Sequence, residues 1–355
     1  MNAIGGYLHH LLMDSPHRWH PLLGVFYLTY RCDFRCPYCS DGAATPYYAL
    51  PSPVLPAAKV KDLLTAIRRH CQYVVLTGGE PLQHTEFSDV MADIPALRFR
   101  RVILTTNGYA LDRFLEVVVP AVRELVFSVD TLVHEKADRW YGVGDGALQR
   151  VLANIERAAR HPRRRFEIII SSVVTPDNLA DLVEVYRYAQ QHGYTFAACP
   201  QLVGVKAHPA LADSPDYRRF YDFLIAEKRA SGAIHGTVDY LEHMRDLRKF
   251  RCHPFTMLVV SPTGDVFYPC LELGHFAGNL LEEDSLHRIR QNGWAKFGPQ
   301  PDCDNRCHSA CALGFSRLLE NPASLLHEAI LIGPSRLKRL FGAPQAESSA
   351  SNPAG

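Results

Sequence analysis

Three cysteines lie within eight residues in Arg31-Cys32-Asp33-Phe34-Arg35-Cys36-Pro37-Tyr38-Cys39-Ser40-Asp41-Gly42, spaced C-x3-C-x2-C. They follow an apolar run, Leu22–Tyr30, that reads as a buried strand. Thiolates are the ligands of [4Fe–4S] clusters, so three of them can hold three irons of one cube. The segment supplies no fourth thiolate, which leaves one iron open to a small ligand. A pure electron carrier has no use for such an opening. The competing readings are half of a zinc site, which would want a fourth ligand and usually C-x2-C knuckles, or a set of core thiols.

A second group of five cysteines, Cys252, Cys270, Cys303, Cys307 and Cys311, lies towards the other end of the chain, while Cys71 and Cys199 stand alone. Ten cysteines in such a chain read as reduced thiols or metal ligands rather than disulfides. Two ligand groups at opposite ends of a sequence suggest a two-site metalloprotein. Met257–Ser261 and Val266–Tyr268 are short apolar runs joined at Pro262-Thr263-Gly264-Asp265, a β-hairpin pattern whose legs bring Cys252 and Cys270 together. Cys307 and Cys311 fall one turn apart if their stretch is helical.

The elements that must position these thiols are repeated. Strand-like runs at Leu22–Tyr30, Tyr73–Leu76, Arg101–Thr105, Glu124–Val129, Phe166–Val174 and Thr195–Ala198 alternate with helix-like segments. The helices fall at about Ala57–His70, Phe87–Ala96, Leu111–Arg123, Ala147–Arg160, Leu179–Gln191 and Asp216–Ala230. The strands lack clean alternation, as expected of parallel strands buried on both faces. Leu148, Val151, Leu152, Ile155 and Ala159 recur at helical spacing, and Gly193 stands where a helix-ending glycine belongs. Repeated βα units imply a parallel sheet with right-handed crossovers. Six units are too few for an eight-stranded barrel, so the expected fold is α/β, a partial (β/α)6 TIM-like barrel with a small C-terminal β-hairpin and helix extension.

In such folds the working face lies beyond the carboxyl ends of the strands. The distinctive residues fall there: the cysteine loop, Thr77-Gly78-Gly79-Glu80-Pro81, Thr105-Thr106-Asn107-Gly108, Ser128-Val129-Asp130, Ser171 through Asn178, and Cys199-Pro200-Gln201. This combination resembles the radical S-adenosylmethionine (radical SAM) superfamily over about residues 20–205. The resemblance implies a [4Fe–4S] cluster on Cys32, Cys36 and Cys39, with S-adenosylmethionine on its open iron. Gly78, Gly79 and Glu80 match the motif that receives the methionine amino group. Ser128 and Asp130 match positions that bond the ribose hydroxyls, although a core serine and a helix-capping aspartate fit them too. Ser171 and Asn178 match fifth-strand contacts to the cofactor, and Asn107 is expected nearby, although Asn-Gly is also a good turn.

The later cysteines resemble the SPASM and Twitch extensions of the same superfamily, which hold auxiliary iron–sulfur clusters. The gap from Gly264 to Cys270 is one residue longer than the usual pattern, and C-x3-C-x3-C replaces the usual knuckles. Five thiols suffice for one fully ligated second [4Fe–4S] cluster, with Cys252, Cys270 and two of Cys303, Cys307 and Cys311 as ligands. A four-cysteine zinc site is the alternative.

Composition closes off other classes. The chain has 355 residues, 47% hydrophobic and 21% charged, with a net charge of +1, so no nucleic-acid partner is expected. Tyr141-Gly142-Val143-Gly144-Asp145-Gly146 lacks the spacing of a phosphate loop and reads as a flexible loop and helix start, and Arg163-Arg164-Arg165 as a solvated loop. Cys199, at the working end of the sixth strand, reads as a thiol lining the barrel. No stretch approaches a membrane span, and a cytoplasmic location is expected. The expected layout is an N-terminal segment 1–19, the barrel 20–235, the cluster extension 236–320, an apolar then basic tail 321–342, and a disordered end 343–355.

The expected reaction is cleavage of S-adenosylmethionine to a 5′-deoxyadenosyl radical that takes hydrogen from a substrate carbon. A reductant such as flavodoxin or ferredoxin would supply the electron, and the second cluster would make the outcome a net oxidation or bond formation. The tail tilts the substrate towards a small, lipid-like molecule and raises a peripheral membrane contact against the simpler reading of a helix packed on the domain. The alternatives are a ribosomal-peptide maturase of the same superfamily, and a non-catalytic iron–sulfur or zinc protein.

Overall fold

The computed structural model describes residues 7, 8, 10, 12, 18–231, 233–298, 307–324 and 328. Cys303 and most of the tail therefore lie outside the described residues. The chain begins its regular structure with β1 (Leu23–Thr29), α1 (Ala57–His70), β2 (Tyr73–Gly78), α2 (Phe87–Leu97), β3 (Arg101–Thr106) and α3 (Leu115–Ala121). It continues through β4 (Glu124–Ser128), α4 (His134–Tyr141), α5 (Ala147–Ala159), β5 (Glu167–Val174), α6 (Leu182–Gln191) and β6 (Thr195–Pro200). A two-stranded ribbon, β7 (Leu202–Val203) and β8 (Lys206–Ala207), then leads to α7 (Pro209–Ala212), α8 (Pro215–Ser231) and α9 (Val238–Asp246). The last part comprises β9 (Met257–Val260), β10 (Asp265–Phe267), β11 (Phe276–Asn279), α10 (Leu286–Phe297) and α11 (Ala310–Glu320).

Strands β1 to β6 pair in sequence order, all parallel, as the repeated βα pattern demands. The sheet stays open and forms a partial barrel with β6 at one edge and β11 at the other. The missing alternation has the expected cause. Phe26 and Leu28 of β1 join the main core, which also holds Leu63, Leu64 and Ile67 of α1, while Tyr27 turns the other way into a small cluster with Met257, Val259 and Phe267. Both faces of β1 are buried, so both must be apolar. Helix α5 buries Leu148, Val151, Ile155 and Ala158 in one stripe, and Gly193 ends α6 at a φ of +69°.

The structure goes beyond the sequence reading in four places. The C-terminal hairpin joins the barrel sheet: β9 runs parallel to β1, pairing Leu23 with Met257 and Phe26 with Val260, and β10 and β11 extend the same sheet antiparallel. All four residues of β9 are buried, and the edge of β1 left free by β2 is where such a strand can be covered. The stretch Leu111–Arg123 is divided into a short 3-10 turn, Leu111–Arg113, and α3. Helix α4 appears where the polar run His134–Arg139 had masked it, and Asp138 near its end accepts from the Gly146 and Leu148 amides, closing the glycine-rich loop with protein donors. Finally, Cys307 precedes α11, so it and Cys311 do not share a helix.

Among the described residues no helix is long and apolar enough to cross a membrane. Because β9 is part of the barrel sheet, Leu258→Ala, at a fully buried position, is expected to cost about 2–5 kcal/mol. Urea unfolding followed by tryptophan fluorescence and by circular dichroism should show one coincident transition at a lower midpoint. Two separated transitions would mean that the hairpin folds independently.

Candidate functional site

The cysteine loop leaves β1 at the carboxyl end of the sheet and is held there by three sets of contacts. In the first, Asp33, the residue after Cys32, accepts from Asn107 Nδ2 at 2.7 Å and from Gln83 Nε2 at 2.9 Å, tying the loop to the exits of β3 and β2. In the second, Tyr38, between Cys36 and Cys39, donates its hydroxyl to Asp130 Oδ2 beyond β4, and its ring meets Trp140 edge-on. In the third, Phe34 stacks on Tyr141 with centroids 4.1 Å apart, and the Arg35 amide donates to the Tyr141 carbonyl at 2.9 Å. The Arg35 guanidinium also donates to the Cys32 and Phe34 carbonyls, at 2.6 and 2.9 Å. A loop without regular structure is thus fixed by side chains from three strand exits.

Gly78 and Gly79 serve the same end. The Gly79 amide donates to Thr29 O at 2.8 Å and the Glu80 amide to Arg31 O at 2.7 Å, carrying the β1–β2 ladder past the end of the strands. A Cβ on Gly78 would fall 2.1 Å from Thr29 O, and one on Gly79 2.4 Å from the Tyr30 and Arg31 oxygens. Gly78 also has a φ of +145°, which favours glycine. Here the glycines make room for the chain's own backbone. The Glu80 side chain turns inward and is 1% exposed. It accepts from the Leu82 amide at 3.0 Å, the Thr106 hydroxyl at 2.7 Å and the Asn107 amide at 2.6 Å.

The β4 and β5 residues divide into two kinds. Ser128 and Ser171 pair across β4 and β5 and are half-buried. Asp130 is buried and engaged by Tyr38 and by the Val173 amide at 2.6 Å. Asn178 is 0% exposed and donates to Asp130 O at 2.9 Å and Val173 O at 2.8 Å while accepting from the Thr175 amide at 2.8 Å. Its side chain staples the β5 loop to the β4 exit. The structure therefore brings every candidate residue from β1 to β5 to one end of the sheet, but ties Glu80, Asn107, Asp130 and Asn178 mainly to protein partners. Asp33, Gln83, Tyr38 and Tyr141 carry the loop without having been singled out as site residues. The positions of Asp33 and Tyr38 inside the cysteine motif could have pointed to those two.

The electrostatics suit a cationic core. Burial pushes the Cys32 thiol up, with the Glu80 and Asp33 charges adding to it, and Cys36 rises by burial and the Asp130 charge. Burial and Asp130 push Cys39 up to about 11. Burial likewise raises Glu80 to about 7 and Asp130 to about 6. Three thiols grouped with carboxylates resist ionisation on their own, and an iron–sulfur core supplies the positive charge that would let them act as thiolates. Among the described residues no three His, Cys, Asp or Glu side chains converge as on a single ion. The fit to a cluster rests on the chemistry of the donor set, and by that measure the residues present suit the group.

The second thiol group lies beside the first thiol-bearing loop. The Cys252 and Cys307 charges both act on Cys270, whose thiol is pushed up first by burial and then by Glu272. Cys307 is buried and accepts from the Ser309 amide at 3.3 Å. Cys311 is raised to about 11 by burial and Glu272, and its charge reaches Cys199 at the end of β6. Gly42, three residues after Cys39, packs on Glu272, two residues after Cys270, so closely that a Cβ there would lie 2.0 Å from the Glu272 oxygen. The segment before α11 is tied to the ribbon after β6, with His308 N donating to Val205 O at 2.8 Å and Ala207 N donating to His308 Nδ1 at 2.9 Å.

Removing Asp33 tests whether its ties hold the cysteine loop. Asp33→Ala leaves two amide donors without their acceptor and should lower the stability of the cluster-free protein by about 1–3 kcal/mol. After iron–sulfur reconstitution it should retain less iron than wild type through gel filtration. Asn107→Ala should add less in that background than it does alone, because the pair acts as one. Full additivity and wild-type iron retention would show that the contact is incidental.

Comparison with known proteins agrees with this geometry. Residues 26–189 match the family model described as the radical SAM superfamily. A GTP 3′,8-cyclase of Microcystis aeruginosa is 35% identical over 135 residues, covering 37% of this chain and 41% of that protein. One from Rhizobium meliloti is 34% identical over 185 residues, covering 47% and 48%. The chain thus spans less than half the length of these curated relatives. Among solved structures, Streptococcus suis SuiB bound to its precursor peptide SuiA superposes with a TM-score of 0.60 at 17% identity, over 77% of this chain and 66% of that one. Native anSMEcpe with bound AdoMet gives 0.59 at 15% identity, over 90% and 99%. Those two likenesses speak for the fold. Together with the cysteine loop at the exit of β1, the match identifies residues 26–189 as a radical SAM domain.

Proposed function

We propose that this protein uses S-adenosylmethionine to abstract hydrogen from a carbon of a small-molecule substrate, with a second cluster making the net result an oxidation or a bond formation. The observation that supports this reading is the packing of Gly42, three residues after Cys39, on Glu272, two residues after Cys270, which brings the two thiol-bearing loops together. When bound on Cys32, Cys36 and Cys39, the cluster and S-adenosylmethionine supply one-electron cleavage to a 5′-deoxyadenosyl radical. The chain's own residues do the rest. Asp33, Asn107, Gln83 and Tyr38 hold the loop against the strand exits. Gly78 and Gly79 let the loop seat on β2. Ser128 and Ser171, half-buried side by side, would meet the cofactor's sugar or carboxylate. Cys252, Cys270 and Cys307 hold the second cluster, with Cys311 or Cys303 as the fourth ligand.

The similarity to GTP 3′,8-cyclases falls on less than half of each relative, so GTP itself is not carried over. It favours a small molecule over a peptide. The lipid-like substrate loses its support. It rested on the tail, where Glu328 pairs with the buried Lys228 at 2.9 Å and accepts from the Val238 amide at 3.1 Å. A tail residue docked in this way fits a segment packed on the domain.

Anaerobically reconstituted protein with a flavodoxin or ferredoxin reductant, or dithionite, should convert S-adenosylmethionine to 5′-deoxyadenosine. Replacing Cys32, Cys36 and Cys39 by alanine should abolish this. Cys252→Ala with Cys270→Ala should keep it while reducing iron from about eight to about four atoms per chain. If wild type holds iron yet forms no 5′-deoxyadenosine, the enzymatic reading is wrong. If the double variant loses no iron, the second cluster is wrong.

A further inference from the structure

The ribbon β7–β8 has no part in the chemistry proposed above, yet it touches both thiol-bearing regions. Its base is fixed at the carboxyl ends of β5 and β6, where the Gln201 amide donates to Val174 O at 2.8 Å and the His208 amide to Gln201 O at 2.8 Å. At its turn, Gly204 lies against the loop of the first thiol group, so that an added Cβ would sit 3.7 Å from Gly42 O. The ribbon also receives the segment that carries the second group. The His308 amide donates to Val205 O at 2.8 Å, and the Ala207 amide donates to His308 Nδ1 at 2.9 Å. His308 directly follows Cys307.

The second of these bonds makes the side chain specific. A ring nitrogen that accepts from an amide carries no proton, so the neutral His308 ring holds its proton on Nε2. One bond from the main chain and one to the ring together fix both where His308 lies and how its ring is turned. The next residue extends the restraint. The Ser309 amide donates to Cys307 Sγ at 3.3 Å, and Ser309 O accepts from the Leu313 amide at 3.0 Å in the first turn of α11. The buried Cys307 thiol is thus caught between a residue clamped to the ribbon and the start of a helix. We infer that His308 is a positioning residue for the second cluster: its Nδ1 holds Cys307 to the ribbon, and the ribbon holds it to the loop of Cys39. This rests on the reading of Cys252, Cys270 and Cys307 as ligands of that cluster. Losing a group that orients a metal ligand commonly costs about 10–100-fold in metal affinity. Such coupling is reciprocal, so a cluster steadied by the ribbon must steady the ribbon in turn.

Asparagine places its side-chain oxygen close to where histidine places Nδ1, whereas glutamine reaches towards Nε2. After iron–sulfur reconstitution, His308→Gln and His308→Ala should hold the second cluster's iron about 10–100-fold more weakly than wild type against a competing chelator. His308→Asn should hold it as wild type does. The first cluster's share of the iron is obtained from Cys252→Ala with Cys270→Ala, which keeps that cluster alone. Wild-type retention in all three His308 variants overturns the inference. Equal loss from the asparagine and glutamine variants also overturns it, since the bulk of the ring and not Nδ1 would then matter. A wild-type chain that holds only about four irons overturns the second-cluster reading, and the inference with it. If the His308 variants do not accumulate, hydrogen exchange of the wild-type chain decides. Residues 202–208 should exchange more slowly with both clusters loaded than in the Cys252→Ala, Cys270→Ala protein loaded with the first alone, and equal exchange overturns the inference.

Discussion

The site depends on one close approach, where the exit of β1 lies on the exit of β2 with no room for a side chain between them. The Thr29 and Arg31 carbonyls take the Gly79 and Glu80 amides, so the parallel ladder runs on after the strands have formally ended. This extension fixes where Cys32 leaves the sheet. It also turns Glu80 away from the loop and into the protein, where its carboxylate collects the Thr106 hydroxyl and the Asn107 amide from the β3 exit. Asn107, oriented by that bond, then reaches back to Asp33. The chain of contacts closes on itself: β1 seats on β2, β2 orients β3, and β3 holds the loop that left β1. A buried network of this kind fixes one geometry only when all its members are satisfied.

That closure explains which parts of the site were legible in the sequence. The strands could be read because burial on both faces leaves runs such as Glu167–Val174 with the apolar content of a buried strand, and their order followed from the repeating pattern. The end of the sheet that carries chemistry followed as well, since polar residues gather there strand after strand. What one chain cannot reveal is whether a polar atom at that end is already taken. Asp130 is met by a tyrosine from the cysteine loop, and Asn178 by the Asp130 carbonyl beyond β4. Such pairings join residues close in space and far apart in sequence, and no local pattern encodes them. The join of β9 to β1 was hidden for the same reason. Its residues read as half of a hairpin, which they are, and nothing local says which strand the hairpin adjoins.

Cofactor recognition must then come from what the network leaves open. The carboxylates of Asp33, Glu80 and Asp130 all have protein donors, so they shape the electrostatics of the loop more than they offer free lone pairs. Their burial has a sign. Glu80 and Asp130 hold protons more tightly in the folded chain than in the unfolded one. The stability they contribute is full below the unfolded carboxylate range and declines as pH rises through about 6 to 7.

The contact between Gly42 and Glu272 fixes how the two thiol-bearing loops meet. No side chain fits between the two backbones, so the distance between the thiol groups is governed by main chain and cannot be adjusted by a rotamer. The wall beside this contact is aromatic. Tyr27 stacks near Tyr47 with centroids 5.8 Å apart, and Tyr30 and Phe267 adjoin Tyr27. The Cys39 and Glu272 charges both reach Tyr47, and the Glu272 and Cys311 charges reach Tyr27. Such a wall is stiff, presents π-faces and hydroxyls together, and lies within the electrostatic reach of both thiol groups.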